Sequence, residues 1–371
     1  MINKIVGVVF ALVLLCCCKQ QSVDIEIEKD AFEVELKPQS DTLKLSSLFQ
    51  LDRVITFDSL FLSDITDVQI IDSNILVRSK SGNKDLHLFD HEGRYLKSFV
   101  HYGRAKNEIL NLQNICFNRY KNTIDILCDY GMKINQYSYP SGKLHNQIII
   151  PTSKITSIAD FEVLDSTSYM FYKNLGYTDE EEYKLYKYNY VTSEIENEFL
   201  KLDKQLAEKI SIGQHNNLYT QESDLYFYEA FQDGIYKYDR DSSKMRKRIL
   251  FKQNEFSMPD KLLRKRVNNE LEFIRMCRES QYIWAHINCI EFEDKIFSYF
   301  TYKKNIYGNI IDLHDKKSFS YMYVFDDLVS NQCYPAGCLS IINSDDRYLI
   351  CTIESYSNQF DKSCILLLKC K

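Results

Sequence analysis

The chain lacks the features that would place it among nucleic-acid binders, membrane-spanning helical proteins or the common hydrolases and nucleotide enzymes. Its 46 Lys and Arg stand against 52 Asp and Glu, and the resulting charge of −6 is spread along the chain, so no basic footprint for nucleic acid exists. Its longest early apolar run, Ile5 to Leu15, is too short for a helix that must cross a bilayer, which takes about 20 residues. There is no Gly-x-Ser-x-Gly elbow, no P-loop and no dinucleotide fingerprint. The seven histidines (His87, His91, His101, His145, His215, His286 and His314) are scattered and give no zinc signature, and no Cys-x-x-Cys pair occurs. Neither cofactor nor metal is therefore expected. Glycine (11) and proline (5) are scarce, while Tyr (27) and Phe (22) are plentiful, a balance that favours strands.

The first residues carry an address. Lys4 precedes the apolar run, which ends in Cys16, Cys17 and Cys18. A basic start followed by a short apolar stretch reads as a secretory signal. The cysteines resemble a bacterial lipoprotein signal, in which aliphatic residues precede a small residue and then the acylated cysteine. Leu14, Leu15 and Cys16 place the lipid on Cys17, with Cys18 as the alternative. The expected organisation is a signal peptide over 1–16, a flexible polar tether over 17–40, and one domain over 41–371. Acyl chains would anchor the protein without any spanning helix. Nine cysteines remain beyond this triplet, several inside apolar runs such as NICFN and YLICTI, where cysteine behaves as a small hydrophobe. Cys333 and Cys338 are spaced to close a short loop in an oxidising compartment.

A repeat runs through the domain. Segments starting at Asn74, Asn122, Ser168, Ser223 and Asp294 each show an apolar strand, a polar turn, an alternating strand, a second turn and a last strand. A further short apolar strand precedes them, as in ITDVQII, LQNICFN, ITSIADFEV and WAHINCIEF. Four strands per unit is the composition of a propeller blade. After Tyr323 the chain supplies three strands, CLSIINS, YLICTI and SCILLLKC, and LDRVITFD near Leu51 has no unit of its own. If it completes the last blade, the ring closes and no free edge is left. The expected fold is all-β: a six-bladed β-propeller of four-stranded antiparallel blades, closed by an N-terminal strand joining the C-terminal blade, with one inserted amphipathic helix over 259–280.

DILCDYGMKINQYSYPSGK resembles the strand rhythm of NHL-type repeats, and the whole mature chain resembles the six-bladed propeller lipoproteins of Bacteroidetes, a family related to NHL and TolB-like propellers and largely without assigned function. HYGRAKNEILNLQNICFN, QDGIYKYD and QNEFSMPDKLL carry the likeness, although Ala105, Lys106 and Asn107 stand where that family has glycines. The resemblance implies a lipid-anchored envelope protein, on the outer membrane in preference to the inner. No catalytic residue is evident, so the function expected is non-catalytic binding or scaffolding of a protein, peptide or glycan. The alternative is a propeller hydrolase or lyase, which would gather three or more carboxylate, Asn or His side chains in its channel. Candidate ligand contacts are Tyr102, Arg104, Asn107 and Glu108 in the first inter-blade loop, and Tyr177, Asp179, Glu180 and Glu181 in a long loop of the third unit. Asp312, His314 and Asp315 lie close in sequence, but in a hairpin where polar turn residues are expected.

Overall fold

A computed structural model describes residues 26–371, apart from 58–61, 63–64, 80–85, 106, 152, 154, 156–157, 175–182, 204–205, 207–216, 222 and 354–362. Cys17 and Cys18 therefore lie outside the described residues. The chain enters through β1 (Ile27–Glu35), β2 (Thr42–Lys44), the short helix α1 (Leu45–Leu48) and β3 (Phe49–Thr56). A first sheet holds β4 (Ile65–Ile71), β5 (Asn74–Ser79), β6 (Leu86–Asp90) and β7 (Tyr95–Ser98), and a second holds β8 (Leu112–Asn118), β9 (Thr123–Cys128), β10 (Lys133–Ser138) and β11 (Lys143–Ile149). The third comprises β12 (Ile158–Val163), β13 (Ser168–Lys173), β14 (Tyr183–Asn189) and β15 (Glu194–Lys201). The fourth comprises β16 (Leu218–Gln221), β17 (Asp224–Phe227), β18 (Gly234–Asp239) and β19 (Lys244–Lys252). Helices α2 (Asp260–Leu263) and α3 (Glu270–Glu279) lead to the fifth sheet, β20 (Ile283–Phe292), β21 (Lys295–Tyr302), β22 (Asn305–Asp312) and β23 (Lys317–Tyr321). Then come β24 (Tyr323–Asp326), β25 (Gln332–Pro335), β26 (Leu339–Ser344), β27 (Leu349–Ile353) and β28 (Cys364–Cys370).

Within the first, second, third and fifth sheets the strands follow chain order from the centre outwards. Burial follows the same gradient. The second strands β9 and β13 are buried at every position, because neighbouring sheets cover both faces, whereas the outer strand β11 alternates towards solvent. The core accordingly lies between sheets rather than inside one: Leu76, Leu86 and Leu88 of the first pack on Ile115, Ile124 and Ile126 of the second. Left-handed turn positions are filled largely without glycine, by Asp72, Asn122, Ser193, Ser243, Glu293 and Lys316 among others. Asn122 ties its turn to the one after β10, donating from Nδ2 to the Tyr139 carbonyl at 3.1 Å. The propeller thus forms on few glycines.

β3 pairs antiparallel with β28 and completes the sheet of β26 and β27. The expected count of six blades is nevertheless overturned, because the described strands form seven sheets. The additional sheet is β2-β24-β25, with β2 parallel to β24, and Leu43, Val324 and Ala336 pack it into the core between the fifth and last sheets. Its strands are three or four residues long, too short to show a period of two, and therefore pass for loop in the sequence.

Two further expectations change. The span 17–40 is not wholly a tether: β1 lies parallel to β19 as a fifth strand of the fourth sheet, with Val34 and Leu36 buried. The helix expected over 259–280 is two helices, because Asn269 caps a new one, its side chain accepting from Glu272 N at 2.9 Å. No disulfide joins the described cysteines, Cys333 and Cys338 included.

Candidate functional site

The innermost strands β4, β8, β12, β16, β20 and β26 surround a central channel, and each has an Asp or Asn at or beside its start or at a break in register. Asp67, Asn114, Asp160 and Asn343 follow such breaks, Asn288 sits inside one, and Asn217 immediately precedes β16. A bulge leaves a backbone N–H without its ladder partner, and a short polar side chain can take its place. Asn114 Oδ1 accepts from Ile115 N at 2.9 Å, Asp160 Oδ1 from Phe161 N at 2.8 Å, Asn288 Oδ1 from Cys289 N at 3.0 Å and Asn343 Oδ1 from Ser344 N at 2.8 Å.

The same side chains reach sideways to the next sheet. Asn343 Nδ2 donates to Asp67 Oδ1 at 3.3 Å, Asn114 Nδ2 donates to Asp160 Oδ1, and Leu218 N donates to Asp160 Oδ2 at 2.8 Å. Asn288 Nδ2 donates to the Ile341 carbonyl. Arg78, 1 % exposed, joins Asp67 to Asn114: Nη1 donates to Asn114 Oδ1 at 3.2 Å, Nη2 donates to the Gln113 carbonyl, and its charge faces Asp67 and Asp160. Burial pushes the Asp160 carboxyl up to about 6, against the hydrogen bonds that stabilise its anion, and pushes Asp67 upward too. This polar belt rings the channel.

Above the belt, towards the ends of the innermost strands, the channel widens into a cavity of about 980 Å³. That volume suits a small ligand or an inserted side chain. Its mouth is edged by turns that follow those strands, with Arg119, Tyr120, Ser223, Glu293, Asp345 and Asp346. Glu162 of β12 lines the wall, with Cys116 Sγ of β8 donating to its Oε2 at 3.1 Å. Desolvation raises the Glu162 carboxyl to about 8, so at neutral pH it is largely protonated, and the Cys116 thiol is pushed up as well by burial and by Glu162. Such a thiol is no nucleophile.

The described residues expected as ligand contacts lie away from this cavity. Tyr102, Arg104, Asn107 and Glu108 sit in the loop between β7 and β8, at the end of the channel opposite the cavity mouth. Glu108 is used internally, its Oε2 accepting from Ala105 N at 2.8 Å; Tyr102 is half-buried, and Arg104 and Asn107 are exposed. Tyr177, Asp179, Glu180 and Glu181 lie outside the described residues. Asp312, His314 and Asp315 do come together, but Asp312 Oδ1 accepts from Asp315 N at 2.8 Å and the group is a largely exposed hairpin turn. The belt and Glu162 were missed, although the sequence signals the belt: Asp or Asn stands before an apolar residue in ITDV, LQNI, IADF and HINC.

The sequence model described as domain of unknown function DUF4934 matches residues 30–363. No curated protein matches the chain. Among solved structures, a Bacteroides fragilis protein inferred to be exported superposes with a TM-score of 0.72 at 16% identity, covering 92% of this chain and 99% of that one. At such identity the likeness shows the fold alone. The Neurospora crassa Pan2 WD40 domain (TM-score 0.42, 7% identity, 82% of this chain and 74% of that one) and the Myceliophteria thermophila Swd1 β-propeller domain (0.38, 9%, 68% of each) are more distant and carry no argument.

Proposed function

We propose that this chain, which belongs to the DUF4934 family and has a β-propeller fold, is a cell-envelope binding protein, tethered by an acyl chain on Cys17 or Cys18, that receives its ligand in the channel cavity. The observation that carries the reading is the cavity itself: a strand-walled pocket with a hydrogen-bonded polar belt at its base. A wall of paired strands costs little ordering on binding. The likeness to an exported protein supports an envelope location, and the lipid anchor is supported by the signal sequence. The ligand belongs to a protein, peptide or glycan partner.

An enzyme of the hydrolase or lyase type is the second reading, favoured by one observation: Asp67, Asn114, Asp160 and Asn343 do converge in the channel. Hydrogen-bond accounting speaks against it. Each of these side chains holds a backbone N–H or a neighbouring belt residue, which is a structural assignment.

Thermal unfolding of the full-length protein in detergent, screened against envelope glycans and peptides, tests the proposal beside a mouth-blocking Ser223→Trp variant. A cavity ligand at 100 times its Kd stabilises by about 2.7 kcal/mol, a rise of a few degrees in Tm, and loses this effect in the blocked variant. A ligand that shifts both proteins alike overturns the cavity as the site. Conversion of the ligand to a product, seen by mass spectrometry, favours the enzyme.

A further inference from the structure

The chemistry of the wall narrows the ligand class, given that the binding reading holds. Among the described residues lining the cavity, five carry carboxyls and one, Arg119, carries a positive charge. The carboxyls are arranged in depth. Asp67 belongs to the floor, where Arg78 answers it; Glu162 lies on the wall; Glu293, Asp345 and Asp346 stand at the mouth. Glu162 differs from the others in its partners. Its carboxyl is satisfied by the Cys116 thiol and the Val163 N–H, and the cation that acts on it, Arg119, does so at range. A desolvated carboxyl with no cation in contact is stabilised strongly by one that arrives with the ligand. Acids of one sign around a low-dielectric mouth focus the field inward and raise the local concentration of cations.

We propose that the cavity accepts a cationic group, a primary ammonium or a guanidinium carried by a peptide or an amino sugar, with Glu162 as its deep counter-ion. Four groups face this carboxyl or share its space: Asp160 on its own strand, Cys116 of β8, Tyr219 of β16 and Cys289 of β20. Desolvation raises Tyr219 and both cysteines, so Glu162 is the wall group that titrates near neutrality. Entry of a cation displaces the Glu162 proton to solvent. Charge balances: one cation enters, and one proton leaves. Affinity therefore rises with pH, by up to tenfold per unit, and levels off above about 8.

Isothermal titration of the full-length protein in detergent with tri-lysine and tri-arginine, from pH 6 to 9, is the test, with maltotriose and N-acetyl-tri-glutamate as neutral and anionic probes. Cationic peptides are expected to bind, with proton release at pH 7 detected from the dependence of the heat on buffer ionisation. Glu162→Gln, its fold checked by circular dichroism, should weaken binding at pH 8 at least tenfold and abolish the pH slope. Binding of a cationic peptide to Glu162→Gln as strong as to the native protein, or no binding of either peptide, overturns the proposal. Preferential binding of maltotriose or the anionic probe, lost in Ser223→Trp, also overturns it while leaving the binding reading intact.

Discussion

Arg78 is the residue on which the channel floor turns. It is a fully buried guanidinium between two buried carboxyls, and such a cation is costly to bury unless its partners are in place. Arg78→Met should therefore cost about 3–5 kcal/mol at pH 8, because it leaves Asp67 and Asp160 buried without their counter-charge. The loss should shrink at pH 5, where Asp160 takes up a proton, and chemical denaturation at the two pH values checks this. Glu162 makes the opposite case. Its folded value of about 8 lies above its ordinary one, so folding takes up a proton, and the stability this brings is present in full below about pH 4 and lost as pH rises through 8. Glu162→Gln should consequently gain on the native protein between pH 5 and 8, by at most about 1.4 kcal/mol per unit, in the same denaturation series. A gap that does not change with pH would show that the carboxyl is well solvated. The sequence shows the belt residues as a motif, Asp or Asn before an apolar residue, but not their purpose. That depends on bulges, which a one-dimensional pattern does not display.

At the scale of elements, the strands that repeat are legible and the ones that do not repeat are hidden. β4, β8, β12 and β20 coincide with ITDVQII, LQNICFN, the end of ITSIADFEV and WAHINCIEF, because each is long enough to show its burial pattern. β16, the innermost strand of the fourth sheet, has no such counterpart in the sequence, because it is only four residues long. β1 was hidden for another reason. Its sequence IEKDAFEVE is rich in charge, since one face of an outermost strand meets solvent, and composition alone makes it look unfolded. Its stability comes from a few contacts: Val34 packs with Ile249 and Ile235, Leu36 with Ile283 and Phe300, and Leu36 N donates to the Lys252 carbonyl at 2.9 Å. Leu36→Ala should thus cost about 2–4 kcal/mol and expose the 27–36 segment to limited proteolysis. Resistance of that segment in the variant would mean that the strand is held by its backbone pairing alone.

For the whole molecule, the direction of β1 relates the cavity to the membrane. Adjacent strands of the fourth sheet alternate in direction, so β19 starts at the face where β16 ends, which is the face of the cavity mouth. β1 runs parallel to β19, with Ile27 opposite Lys247 near its start and Glu35 opposite Lys252 at its end. The chain before Ile27 therefore departs from the mouth face. From an acylated Cys17 to Ile27 the chain spans about ten residues, at most about 36 Å when fully extended. The proposed anchor would then hold the mouth towards the lipid surface and the loop of Tyr102 and Arg104 away from it. Cysteines placed at Asp346 and at Asn107, in a Cys333→Ser background, report this orientation through labelling by a bulky polymer-linked maleimide on intact vesicles. The Asp346 position should react at least tenfold more slowly than the Asn107 position when the protein is anchored, and at a comparable rate when the double substitution Cys17→Ala/Cys18→Ala releases it. A 20-residue Gly/Ser insertion after Gln20 adds a mean span of roughly 25 Å and should restore the rate at the mouth. Equal rates in the anchored protein would sink the orientation, and with it the idea that the ligand reaches the cavity from the membrane side.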